Sequence, residues 1–121
     1  MNEMGNETMT KLEKFTRAYI EAIYFTDTGD EGEDAELSPE ALHEVNEVCA
    51  DFLELCDHLI MQTDRTYDSA AHDFWFTRNG HGCGFWDGDW PEPIASELTA
   101  NAKAYGECYV YCGDDGSIYF G

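Results

Sequence analysis

Residues 72–87 read His-Asp-Phe-Trp-Phe-Thr-Arg-Asn-Gly-His-Gly-Cys-Gly-Phe-Trp-Asp. The stretch holds two of the three tryptophans, three of the seven phenylalanines, two of the four histidines and one of three arginines. Asn79-Gly80 is a hairpin signal, because a type I′ turn needs positive φ at both central residues. A two-residue turn there fixes a register in which Arg78 faces His81, Phe76 faces Cys83, Phe74 faces Phe85 and His72 faces Asp87. One face of the predicted hairpin carries an aromatic cluster ending in a His72–Asp87 pair. The other sets Asp73, Trp75 and Thr77 against Trp86, Gly84 and Gly82. A longer loop through Asn79–Gly82 would instead set Arg78 opposite Cys83.

Around this centre the chain reads as helix, helix, hairpin, helix, hairpin. Residues 1–9 are polar and expected to be flexible. From Thr10 to Phe25, Leu12, Phe15, Ala18/Tyr19 and Ala22/Ile23 keep helical spacing, and Thr10 with Glu13 matches a capping box. Residues 27–37 form an acidic, glycine-containing loop with Asp30, Glu31, Glu33 and Asp34. It lacks the ligand spacing of a calcium-binding loop. Ser38 and Pro39 start a second helix, whose apolar stripe is Leu42, Val45, Val48/Cys49, Phe52, Leu55/Cys56 and Leu59/Ile60. Thr63–Ala71 reads as a linker or short turn. Ile94, Leu98, Ala102 and Tyr105 line a third helix, with Gly106 placed to end it. Cys108–Cys112 and Ile118–Phe120 flank Asp115-Gly116, a second hairpin signal. The expected fold is a single α+β domain over residues 1–121, in which about three helices pack on one face of a small antiparallel sheet made of two β-hairpins.

The central run resembles a family of small proteins encoded by tailed bacteriophages and prophages, with the pattern HDFW-x-TRNGHG-x-GFWD. The similarity extends to Ala18-Tyr19-Ile20-Glu21-Ala22, to Ala102-Lys103-Ala104-Tyr105-Gly106-Glu107, and to Gly113-Asp114-Asp115-Gly116 before Ile118-Tyr119. It covers about three quarters of the chain. Cys83 stands where the family pattern has a small alanine, and Gly88 where it has a basic residue. The resemblance implies a phage origin and a compact fold, and carries no activity with it.

Charge narrows the function classes. The chain has 26 acidic residues against 6 lysines and arginines, a net charge of −20. Such a field repels nucleic acid and anionic membranes and attracts basic surfaces at high on-rate. With 43% hydrophobic residues and 14% aromatics, the acidity does not signal disorder. Adaptation to high salt and an acidic binding face both remain open. Five cysteines without a C-x-x-C pair, and a polar Met1–Thr10 with no apolar segment after it, point to reduced thiols in the host cytoplasm.

Two constellations are candidates for function. On the second helix Glu40, Glu44, Glu47, Asp51 and Glu54 recur every three or four residues, a spacing of about 5–6 Å along one face. Phosphates along a DNA strand recur at a comparable distance, roughly one per 3.4 Å of axis. The plain reading is a solvated helix face. The functional reading is a surface that imitates a nucleic-acid backbone, with the loop acids Asp30, Glu31, Glu33 and Asp34 as part of it. The second constellation is the hairpin site of His72, Arg78, His81 and Asp87, with His72 and Asp87 as base and orienter of a small enzyme or ligand-binding domain. In the expected register its two halves lie about 20 Å apart along the strand, which is hard to reconcile with one active site. No cofactor is expected. His72, His81, Cys83 and Asp87 lack a standard zinc spacing. Cys83 is the one thiol expected to be worth testing for reactivity. The sequence therefore favours a binding protein over an enzyme: an acidic, DNA-mimicking inhibitor of a host protein with a basic nucleic-acid-binding surface, such as a restriction or CRISPR effector.

Overall fold

A computed structural model of the chain describes residues 9–28 and 35–121. Four helices and one two-stranded antiparallel sheet follow in the order α1 (Lys11–Thr26), α2 (Pro39–Ile60), α3 (Tyr67–Asn79), α4 (Ile94–Lys103), β1 (Val110–Cys112) and β2 (Ile118–Phe120). The fold is α+β, and among the described residues it has one hairpin where two were expected and four helices where about three were expected.

The helix starts follow local chemistry. The Glu13 amide donates to Thr10 Oγ1 at 3.0 Å, and the Thr10 amide donates to Glu13 Oε1 at 2.9 Å, so the capping box closes in both directions. Ser38 Oγ accepts from the Ala41 amide, with Pro39 in the first turn. The buried stripe of α2 is Ala41, Val45, Cys49, Phe52, Leu53, Cys56, Leu59 and Ile60. Leu42 and Leu55, expected in the core, are exposed. Spacings of three and four leave the centre of a stripe uncertain by one residue, and here it lies nearer Ala41 and Leu53.

The largest correction concerns residues 67–79. They form a helix, not a linker followed by a strand. Thr66 caps its start, accepting from the Ser69 amide at 3.0 Å, and Asp68 sits in the first turn. Ala70, Ala71, Phe74, Trp75 and Arg78 bury one face at helical spacing. Gly80 adopts φ 67°, ψ 40°, and the His81 amide donates back to the Phe76 carbonyl at 3.1 Å. These are the marks of a Schellman helix end. No residue other than glycine has positive φ among those described, so Asn79 cannot take the conformation a type I′ turn requires. The expected pairings His72–Asp87, Phe74–Phe85, Phe76–Cys83 and Arg78–His81 therefore do not exist as strand neighbours.

Elsewhere the order of elements agrees with expectation but the elements are shorter: α4 stops at Lys103, before Tyr105, and β1 begins at Val110, not Cys108. Gly106, at φ 78°, follows α4 and donates to the Lys103 carbonyl. Val110, Tyr111 and Cys112 pair with Phe120, Tyr119 and Ile118 around a turn containing Gly116 at φ 84°. A parallel bridge between Leu37 and Ile118 ties the sheet to the start of α2. The core is aromatic: Phe52 and Phe74 stack at 3.9 Å between ring centroids, with Phe15, Tyr19, Phe85 and Tyr105 arranged around them.

Candidate functional site: the acidic face of α2

At 100° per residue, Glu40, Glu44, Glu47, Asp51 and Glu54 fall within about 80° of arc and extend along about 21 Å of helix. All five are exposed, on the side of α2 away from its buried stripe. The 22 residues of the helix include no lysine or arginine to neutralise them. Lys11 reaches across to a different carboxylate, Asp57, at 2.7 Å. Among the described residues, that is the sole ion pair between a lysine or arginine and a carboxylate.

Two of the five are held. His43 Nε2 lies 3.1 Å from Glu47 Oε2, one turn away, and the Tyr105 hydroxyl donates to Asp51 Oδ2. Burial and then this bond to a carboxylate push the Tyr105 phenol well above its usual range, so it remains a donor at any physiological pH. Asp51 and Tyr105 share a shallow groove with Glu47, Val48, Ala50 and Glu54. Sequence spacing puts Tyr105 on one helix face with Ile94, Leu98 and Ala102. Its position just beyond the helix lets the ring pack on Phe52 and Phe74 while the hydroxyl reaches the acidic row. The loop acids Asp30, Glu31, Glu33 and Asp34 lie outside the described residues.

The residues of the expected hairpin site go to separate structural tasks. His72 stands on α3 with Nε2 3.6 Å from Glu21 Oε1. Asp87 accepts from the Gly84 amide within its own loop. Arg78 is buried and donates to the Gly106 carbonyl at 2.7 Å, the Tyr105 carbonyl at 3.2 Å and the Tyr19 hydroxyl at 3.0 Å. His81 Nε2 lies 3.0 Å from Asp27 Oδ2, the oxygen that also accepts from Trp75 Nε1 at 2.8 Å. Their neighbours do the same kind of work. Asn79 Oδ1 accepts from the Cys108 amide, Thr77 Oγ1 from the Phe85 amide, and Asp73 Oδ2 from Trp90 Nε1. The polar residues of this run tie α3 to the end of α1, to the loop after it, and to the chain entering the hairpin.

The thiols are placed for packing. Burial pushes Cys49 up to about 12 and Cys56 up to about 11. Cys83 is raised first by burial and then by the charges of Asp73 and Asp87, which disfavour the reactive thiolate. All five cysteines are free. Among the described residues, no three His, Cys, Asp or Glu side chains gather as a metal site, and no helix is long and apolar enough to cross a membrane.

Compared with protein-family models, curated proteins and solved structures, the chain matches none.

Proposed function

We propose that the chain is a phage-encoded, non-enzymatic inhibitor whose acidic surface occupies the basic nucleic-acid-binding channel of a host protein, of the kind found in restriction and CRISPR effectors. The observation that supports this reading is the row Glu40, Glu44, Glu47, Asp51 and Glu54: five exposed carboxylates on one helix, with no lysine or arginine paired to them among the described residues. Like charges three and four residues apart destabilise a helix by a few tenths of a kcal/mol per pair. A sequence that only needed solubility could relieve this with a single lysine. The phage resemblance supports the same setting, in which a small acidic protein acts on host machinery. The decoy would approach at high rate, steered by its field, and bind with strong salt dependence.

The test is capture from host lysate with immobilised protein at about 50 mM and then about 300 mM salt, a range over which surface charge is progressively screened. Wild type is expected to retain a nucleic-acid-binding protein that duplex DNA displaces. The variant Glu40→Gln/Glu44→Gln/Glu47→Gln/Asp51→Asn/Glu54→Gln is expected to lose it, whereas His72→Ala keeps it. Loss with His72→Ala and retention with the five-amide variant would overturn the proposal.

A further inference from the structure

The outward face of the hairpin carries a ladder of tyrosines. Tyr109 and Tyr111 stack at 5.9 Å between centroids, and Tyr111 and Tyr119 at 5.8 Å across the strand pair. Tyr109 is 68% exposed and Tyr111 42%. On the opposite face Val110 and Phe120 pack against the core and Ile118 is fully buried. The three rings form a near-parallel array in which Tyr109 and Tyr111 are exposed and Tyr119 is half-buried.

The ladder adjoins the acidic row. The Ser38 amide donates to the Ile118 carbonyl at 2.8 Å, which sets the first turn of α2 beside β2. Asp115 accepts from the Tyr119 hydroxyl at 2.6 Å, and that phenol is pushed up to about 12 by Asp115 first and, more weakly, by Glu40. Tyr119, at one end of the ladder, therefore stands in the field of Asp115 and of Glu40 at the start of the acidic row. Phosphate-bearing ligands and a second copy of this chain are both repelled by it. A cation that can also stack is favoured. The guanidinium group is planar and weakly hydrated and packs on aromatic rings, whereas an ammonium is a compact, strongly hydrated charge. Within the fold two of the three cation–ring contacts are made by arginine, Arg78 over Tyr105 at 5.8 Å and Arg65 over Trp90 at 5.6 Å, and the third by Lys11 over Tyr67 at 5.7 Å.

We infer that the Tyr109–Tyr111–Tyr119 ladder, continuous with Glu40 and the acidic row of α2, is a docking surface for an arginine-bearing segment of a partner protein. The inference rests on the acidic-decoy reading and specifies its partner: the row supplies charge attraction, and the ladder selects arginine over lysine.

The probes are fluorescently labelled oligoarginine and oligolysine peptides of equal length, titrated with wild type, with Tyr109→Thr/Tyr111→Thr, and with the five-amide variant of α2. Tyr109 and Tyr111 extend into solvent and threonine suits a strand, so the double variant should melt like wild type in circular dichroism. Wild type should prefer oligoarginine. The threonine variant should lose about two- to fivefold per ring for oligoarginine while its oligolysine affinity holds, so the ratio of the two collapses. An unchanged ratio, or equal weakening of both peptides, overturns the arginine assignment and leaves the decoy reading standing. The five-amide variant should weaken both peptides together. Undiminished binding there, or no binding of either peptide by wild type, overturns the decoy reading.

Discussion

Replacing Arg78 with methionine should destabilise the protein more than any surface change of similar size. Arg78 is 8% exposed, and its guanidinium supplies the donors for three groups on two other segments: the Tyr19 hydroxyl of α1 and the carbonyls of Tyr105 and Gly106 after α4. Methionine fills much of the volume but leaves those acceptors without a donor. It also removes the cation from the Tyr105 ring. A hydrogen bond from a charged donor is worth about 1.5–3 kcal/mol, and bonds made by one side chain do not add fully. The expected loss is about 3–5 kcal/mol. For a domain of this size that lowers Tm by about 10–20 °C. Arg78→Lys keeps the charge but cannot reach all three acceptors in a planar fork, so it should fall about midway. Urea unfolding followed by circular dichroism measures both. A loss below about 1 kcal/mol for Arg78→Met would refute the claim that this run serves as the fold's internal tie.

Gly84→Ala should destabilise by about 1–3 kcal/mol, because a Cβ there would stand 2.2 Å from Thr77 Oγ1, which accepts from the Phe85 amide; thermal melts check it. The five-amide variant of α2 should be more stable than wild type at low salt by about 1–2 kcal/mol, from four relieved neighbour pairs, with the gap narrowing as salt rises in urea titrations. Asp57 is lowered: burial raises it, but the hydrogen bonds from Lys11 and Tyr67 outweigh that. Its contribution is therefore present above pH 3.8 and lost as pH falls through the lower folded-state value, so Lys11→Met should flatten the acid limb of the stability curve.

Much of the fold is legible in the sequence, because most of its punctuation is unambiguous. Thr10 with Glu13, Ser38-Pro39, Gly106 and Asp115-Gly116 each have one structural use, and each performs it. Asn79-Gly80 has two. A left-handed glycine after an asparagine serves a type I′ turn and a helix end equally well, and the flanking Phe74-Trp75-Phe76 weights the reading toward a strand. The deciding signal lies upstream, in Thr66, Asp68, Ala70 and Ala71, whose helical spacing continues through Phe74, Trp75 and Arg78. The acidic row is legible because it depends only on helical period. The tie between Asp51 and Tyr105 depends on where α4 ends relative to α2, a tertiary relation with no local signature. The tyrosine ladder depends on the two-residue spacing of Tyr109 and Tyr111 and on the register of Tyr111 with Tyr119, a cross-strand relation that spacing along one strand does not fix.

The most direct test of the account is a competition measurement on the captured host partner, with short duplex DNA titrated against the protein. The account predicts mutually exclusive binding. It also predicts that the five-amide variant competes at least about 70-fold less well, at about 0.5–1 kcal/mol per lost charge. A ternary complex of partner, DNA and protein, or undiminished competition by the five-amide variant, would contradict it.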